Sequence, residues 1–301
     1  SGSWTMEAEH LNPKPGAAQL VQGLIGDVSF LVTPPDLCVR LFGLLESGDA
    51  SATAIGDVIS HDPSLTARLL QLVNSSFFNF ARRIDTVSRA ITVLGTRELY
   101  SLVLAVSAIK SFSKLPVTLV NIDTFWRHGI FTGLLAREIA RKIRILHPER
   151  LFIAGLLHDI GCLVLYARMP EQMRDLMLVC EGEEDLLHRA EQEHFGFSHG
   201  DLGGALAEVW NLPEHLQDAI THHHDPDAGQ TSDAAIIHLA DALANRSRLG
   251  AFCEDPPGIA HIHPGTWERL GMEPADLDEE ELIGAAGLQF TETAGLLLAR
   301  G

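Results

Sequence analysis

The chain has 301 residues, a hydrophobic fraction of 46% and a net charge of −18, enough apolar material for one large domain or two ordinary ones. So acidic a surface repels phosphate backbones and argues against a nucleic-acid groove. The four cysteines, Cys38, Cys162, Cys180 and Cys253, form no CxxC pair and fit a reducing compartment rather than a disulfide framework.

No apolar run reaches ~18 residues without a charge, which argues against a membrane span. The opening SGSWTMEAEH lacks the basic-then-apolar order of a signal peptide, and Ser1–Thr5 reads as an addition ahead of Met6. The expected location is the cytoplasm. After a break at Pro34–Pro35, Leu37, Leu41, Leu44 and Leu45 mark one helix face. Asp62 suits an N-cap and Pro63 the first helical position, ahead of Leu65, Leu69, Leu72 and Val73. Val87, Ile91 and Leu94 predict a short helix that Gly95 ends. Thr96 is the expected cap of the next, whose stripe is Leu99, Leu102, Val103 and Val106. The periodicity lapses around residues 114–122.

Asp123 is the expected cap of DTFWRHGIFTGLLAREIARKI, whose basic end, ARKIRI, reads as a solvated face. Pro148 is expected to open one helix that carries the pair His158–Asp159 inside LLHDIGCLVLY. Ser198 and Asp201 predict a capping box in FSHGDLGGALAEVW. LPEHLQDAITHHHDP and SDAAIIHLADALANRSRLG read as further helices, AFCEDPPGIAHIHPG as a loop, and Ala275 to Arg300 as a final acidic helical piece. Alternating β patterns are absent, so the expected fold class is all-α. The expected organisation is a tail over 1–19, a helical lobe over 20–115, a second lobe over 116–250, and a loop with a C-terminal helix over 251–301.

Several polar side chains fall on apolar helix faces. His128 aligns with Phe131, Leu135 and Ile139; His158 aligns with Leu151, Gly155 and Cys162; Asp241 aligns with Ile237 and Ala244. In THHHDP, His223 and His224 share a face with Leu216 and Ile220, and His222 turns aside. Singly, such a histidine is most simply a hydrogen-bonded core residue. Together, on different helices of one bundle, they can converge as metal ligands do.

The order His128, His158–Asp159, Asp241 resembles the H…HD…D signature of the HD superfamily of metal-dependent phosphohydrolases. The chain is more similar still to its HDOD (HD-related output domain) branch, through DPSLTARLLQLVNSSFF, DTVSRAITVLGTREL, FWRHGIFTGLLAREIA, FIAGLLHDIG, FGFSHGDLGGALAEVWNLPE and HHHDP. The resemblance implies a metal held by His128, His158, Asp159 and Asp241. Two-metal relatives imply a second ion at His199, His223 and His224, with Asp159 bridging. Mixed imidazole and carboxylate ligands suit Fe, Mn, Zn or Ni. Two departures bear on catalysis: the enzymes' HDIGK reads HDIGC here, with Cys162, and the GYP tripeptide of cyclic-di-GMP phosphodiesterases is absent. Two functions follow as expectations. One is a bacterial signalling module with a regulatory protein partner and a metal-competent HD site. The other is an active metal-dependent phosphohydrolase or phosphodiesterase acting on a nucleotide or a small phosphoester.

Overall fold

A computed structural model describes residues 16–29, 36–47, 51–113, 117–181, 184–250 and 261–299, and among these there is no strand. The break at Pro34–Pro35, the start of the lapse in periodicity at 114–116, and the loop around Cys253 lie outside the described residues. The helices of the first half are α1 (Ala17–Ser29), α2 (Asp36–Glu46), α3 (Ala52–Ser60), α4 (Pro63–Val73), α5 (Val87–Leu94) and α6 (Thr96–Phe112). Those of the second half are α7 (Ile122–Lys142), α8 (Glu149–Leu157), α9 (Ile160–Arg168), α10 (Pro170–Cys180), α11 (Glu184–Phe195), α12 (His199–Val209), α13 (Glu214–His222), α14 (Asp233–Arg246), α15 (Gly265–Leu270) and α16 (Glu279–Leu298).

Local chemistry sets most of these boundaries. The Asp62 carboxylate accepts from the Leu65 N–H at 3.0 Å, with Pro63 in the first turn. Ser198 and Asp201 form the capping box that starts α12. Gly95 closes α5 at φ +88°, a backbone region that glycine enters without steric cost.

Three boundaries away from the His158–Asp159 pair differ from the sequence expectation. Thr96 is not a cap: Gly95 precedes α6, and no side chain bonds its first turn. Asn121, not Asp123, caps α7, accepting from the Asp123 and Thr124 N–H groups at 2.9 and 3.2 Å. An Asx side chain at 121 reaches both orphan donors, which places Asp123 inside the first turn where its charge favours the helix dipole. The acidic C-terminal piece is split into a 3-10 turn at Pro274–Asp276 and α16, because Asp278 caps a fresh start by accepting from Glu281 N–H.

The long helix α7 is the axis of the second half; α8, α14 and α16 all pack on it. Gly133 and Gly155 make the α7–α8 approach possible, since a Cβ on Gly155 would stand 2.6 Å from the Gly133 backbone. The α8–α9 stretch, Glu149–Arg168, is long and apolar enough to cross a membrane, but 89% of its apolar window is buried as core. The stripe of α6 (Leu99, Leu102, Val103 and Val106) is buried, and α6 packs on α8. Phe77 meets Phe152 at 4.5 Å between ring centroids, and the Tyr100 hydroxyl donates to the Trp210 carbonyl at 3.0 Å. Helix α1 packs on α9 and α12, so the first half reaches the second at both ends.

Arg137 is fully buried on α7, donating to the Phe77 carbonyl, to Glu138 and to Gln289 of α16, with its guanidinium over the Phe77 ring. It thereby ties both halves of the chain to the C-terminal helix. At the end of α7, Arg141 and Lys142 of ARKIRI are exposed.

Candidate metal centre

His128 projects from the second turn of α7, and Asp241 from the middle of α14. The His158–Asp159 pair does not ride on one helix as expected. Helix α8 ends at Leu157, His158 caps it, and Asp159 precedes α9. The break is where α9 meets the start of α12. A Cβ on Gly161 would collide with the His199 carbonyl, so glycine there lets His199, the first residue of α12, stand beside Asp159. His223 and His224 come from the end of α13.

These side chains converge. His128 Nε2 lies 3.0 Å from Asp241 Oδ1 and 3.8 Å from Asp159 Oδ2; His158 Nε2 lies 3.2 Å from Asp159 Oδ2 and 3.5 Å from Asp241 Oδ1. The other Asp159 oxygen, Oδ1, faces His199 Nε2 at 3.5 Å and His223 Nε2 at 3.6 Å. His224 Nε2 is 3.0 Å from His199 Nε2, which is 3.3 Å from His223 Nε2. Two groupings of ligand-competent atoms result, His128–His158–Asp159 and Asp159–His199–His223–His224, sharing Asp159. Asp241 adjoins the first.

The far nitrogens show which tautomer is present. His128 Nδ1–H donates to the Gly250 carbonyl at 2.6 Å, His158 Nδ1–H to Gly155 at 2.7 Å, and His223 Nδ1–H to Ile220 at 2.7 Å. His199 Nδ1–H donates to Glu191 Oε2 at 2.6 Å. A carbonyl or carboxylate can only accept, so each Nδ1 carries a proton and each ring turns Nε2 inward, where it offers a lone pair whenever the ring is neutral. Lone pairs and carboxylates aimed at one another repel unless a cation, proton or metal, lies among them.

The titration directions divide the cluster: burial holds His223 and His224 below the ordinary imidazole value, while His158 and His199, beside carboxylates, are raised. Burial alone would depress His158, yet the Asp159 and Asp241 carboxylates hold its pKa well above the ordinary value. Burial is likewise outweighed at His199, which Glu191 and Asp159 push up to about 9. Burial would raise both aspartates; the His158 imidazole beside Asp159, and His128 and His158 beside Asp241, hold them well below the usual carboxylate range. The donor set fits a transition metal with imidazole and carboxylate ligands better than a hard all-oxygen cation.

His222 stays apart, half-buried, with Nδ1 3.0 Å from Asp218 Oδ1. Asp218 also accepts from the Gln230 and Thr231 backbone N–H groups, so it keeps partners without the imidazole. His222→Ala is expected to change stability by no more than about 0.5 kcal/mol and metal content not at all. Loss of metal in His222→Ala but not in His224→Ala, by elemental analysis, would contradict this register.

Two α11 residues went unforeseen. Glu191 is fully buried beneath His199. His188 stacks on His224 with ring centroids 4.6 Å apart, and burial, reinforced by His199, pushes its pKa down to about 3. The available signal was a charge at 191 in line with Leu187 and Phe195, at helical offsets of four.

Comparison with known proteins gives the family. The sequence profile of the HDOD domain matches residues 31–226. The chain belongs to the HDOD domain family. An HDOD domain protein of unknown function from Geobacter sulfurreducens shares the fold with a TM-score of 0.66 and 26% identity, covering 93% of this chain and 98% of its own. An uncharacterized protein of Treponema pallidum is 29% identical over 193 residues, 64% of this chain and 37% of that protein. A ribonuclease Y of Thermus thermophilus is 47% identical over 119 residues, 40% of this chain and 15% of the enzyme. The chain thus spans well under half the length of these two curated relatives.

Outside the ligand set, His238 links the site's floor to the segment after it. It donates from Nδ1 to the His223 carbonyl at 2.7 Å and accepts at Nε2 from the His263 N–H at 2.9 Å. Burial pushes its pKa down to about 4 from an unfolded value of 6.5. Between these values the unfolded chain binds a proton that the folded chain refuses. The stability from neutral His238 is therefore whole above about pH 6.5 and lost as pH falls toward about 4, at up to about 1.4 kcal/mol per unit. Urea unfolding of the metal-free chain from neutral to about pH 5 is expected to show a steeper loss in wild type than in His238→Gln. Equal losses would contradict it.

Proposed function

We propose that this HDOD domain is a cytoplasmic signal-output module whose HD site holds one or two transition-metal ions, of Fe, Mn, Zn or Ni, and passes the state of that site to a regulatory protein partner. The observation that carries the metal part is the set of Nδ1-anchored imidazoles aiming Nε2 lone pairs at the Asp159 and Asp241 carboxylates. His128, His158, Asp159 and Asp241 would hold one ion, and Asp159, His199, His223 and His224 the second.

The output role is supported by how closed the site is. The His128, His158, Asp159, His199, His223 and Asp241 side chains are at most 10% exposed, leaving them little contact with solvent. Cys162 stands where the enzymes' HDIGK motif offers a lysine to a substrate phosphate. The buried face of α6 against α8 supplies a physical route between the first half of the chain and the site.

A phosphodiesterase is the second reading, favoured by the completeness of the ligand set and by the ribonuclease Y relative. Paired ions of this kind, when bound, polarise a phosphate and lower the pKa of water. The test is a screen of protein loaded with Mn, Fe, Zn or Ni against bis-p-nitrophenyl phosphate, cyclic dinucleotides and short RNA. The output reading expects no turnover above that of Asp159→Ala. Hydrolysis abolished by Asp159→Ala would establish the enzyme instead.

A further inference from the structure

Glu191 lies outside the H…HD…D pattern, yet it is fully buried next to the ligand cluster. Its Oε2 accepts from the His199 backbone N–H at 2.8 Å and from His199 Nδ1–H at 2.6 Å. Its Oε1 is buried with no hydrogen-bond partner. A carboxylate satisfied on one oxygen is costly in a dry interior, so a purely structural role would be better filled by an amide or an apolar side chain. Ser198 and Asp201 already form the capping box of α12, so Glu191 adds there only an acceptor for the His199 N–H, which a neutral amide would also supply.

The other anchored rings show what Glu191 adds. His128, His158 and His223 each rest on a neutral backbone carbonyl, whereas His199 rests on a carboxylate. A carboxylate behind an imidazole fixes its tautomer and raises its basicity toward a metal. Cys162 approaches the same spot, with ligand-competent atoms of Cys162, Glu191 and His199 all within 4.8 Å of one another. A cysteine brings no positive charge to compete for Glu191, as a lysine at 162 would.

We infer that Glu191 is a positioning residue that makes the two half-sites unequal. It holds His199 in its Nδ1–H tautomer and strengthens the Asp159–His199–His223–His224 half over the His128–His158–Asp159–Asp241 half. This rests on the metal reading above.

The test titrates the metal-stripped full chain with Co²⁺, followed by calorimetry and visible absorption. Wild type is expected to take up Co²⁺ in two phases. Glu191→Gln keeps the volume and an acceptor oxygen but loses the charge. It is expected to weaken one phase about 10–100-fold and leave the other unchanged. Glu191→Leu, which also loses the acceptor, is expected to abolish that phase, with Gln intermediate. Asp241→Ala should weaken the opposite phase. Two unchanged phases in both Glu191 variants would overturn the inference while leaving the metal reading intact. Equal weakening of both phases with a lowered unfolding temperature would reduce Glu191 to a structural residue and overturn it too. A wild type that takes up no Co²⁺ would overturn the metal reading, and this inference with it.

Discussion

Asp159→Ala is expected to abolish metal uptake altogether, whichever ion is offered. The residue's two oxygens face opposite ways: Oδ2 toward His158 at 3.2 Å and His128 at 3.8 Å, Oδ1 toward His199 at 3.5 Å and His223 at 3.6 Å. Removing it leaves each half-site with a crowd of imidazoles and, on one side, no carboxylate of its own to balance a divalent charge. Asp241→Ala differs, because among the candidate ligands Asp241 Oδ1 faces His128 and His158, at 3.0 and 3.5 Å, while also accepting from Asn245 Nδ2 at 3.1 Å; it should cost one ion and spare the other. Elemental analysis of the two variants, each checked for cooperative unfolding, separates these outcomes. An Asp159→Ala protein that retained a full complement of metal would show that the aspartate does not join the halves.

Deleting residues 1–115 is expected to leave a fragment that neither stays in solution nor unfolds cooperatively. The cut removes the α6 face from α8 and α1 from α9 and α12. It also takes Phe77 from Phe152 and, with its carbonyl, from Arg137. Buried apolar area is worth ~25 cal/mol per Å², and the newly bared surface would be contiguous. Arg137, fully buried in the whole chain, would lose a backbone acceptor and the ring beneath its guanidinium; breaking such a buried charged network costs about 3–5 kcal/mol. Expression of residues 116–301 with measurement of solubility, thermal unfolding and metal content checks this. A soluble, metal-loaded fragment with full phosphodiesterase activity would overturn the output reading in favour of the enzyme.

Much of this was legible because helices announce themselves through periodicity and end chemistry. Leu65, Leu69, Leu72 and Val73 sit where offsets of three and four place them, behind an Asp62 cap that needs only local reach. Polar residues on apolar faces were equally visible, which is why His128, His158, His223 and Asp241 could be singled out before their burial was seen, whereas His199 was named only through the family resemblance. Competing short-range options were harder to rank: Asn121 and Asp123 are both good caps, and the choice depends on where the preceding chain arrives. The interruption at His158–Asp159 was illegible for a different reason. His158 keeps helical dihedrals and the backbone leaves them at Asp159, at φ −94° and ψ 11°, where α9 meets α12 at Gly161 and no breaker stands in the sequence. Glu191 was missed because its meaning is tertiary: one acid in an acid-rich helix becomes informative only when His199 is found above it.

The central claim is that this cluster of imidazoles and carboxylates is a metal site. The most direct measurement is elemental analysis of the purified full chain after growth with added Fe, Mn, Zn and Ni, beside Asp159→Ala prepared in the same way. At least one transition-metal ion per wild-type chain is expected, and none in the variant. Sub-stoichiometric metal in wild type under every supplementation, or equal metal in both proteins, would contradict it.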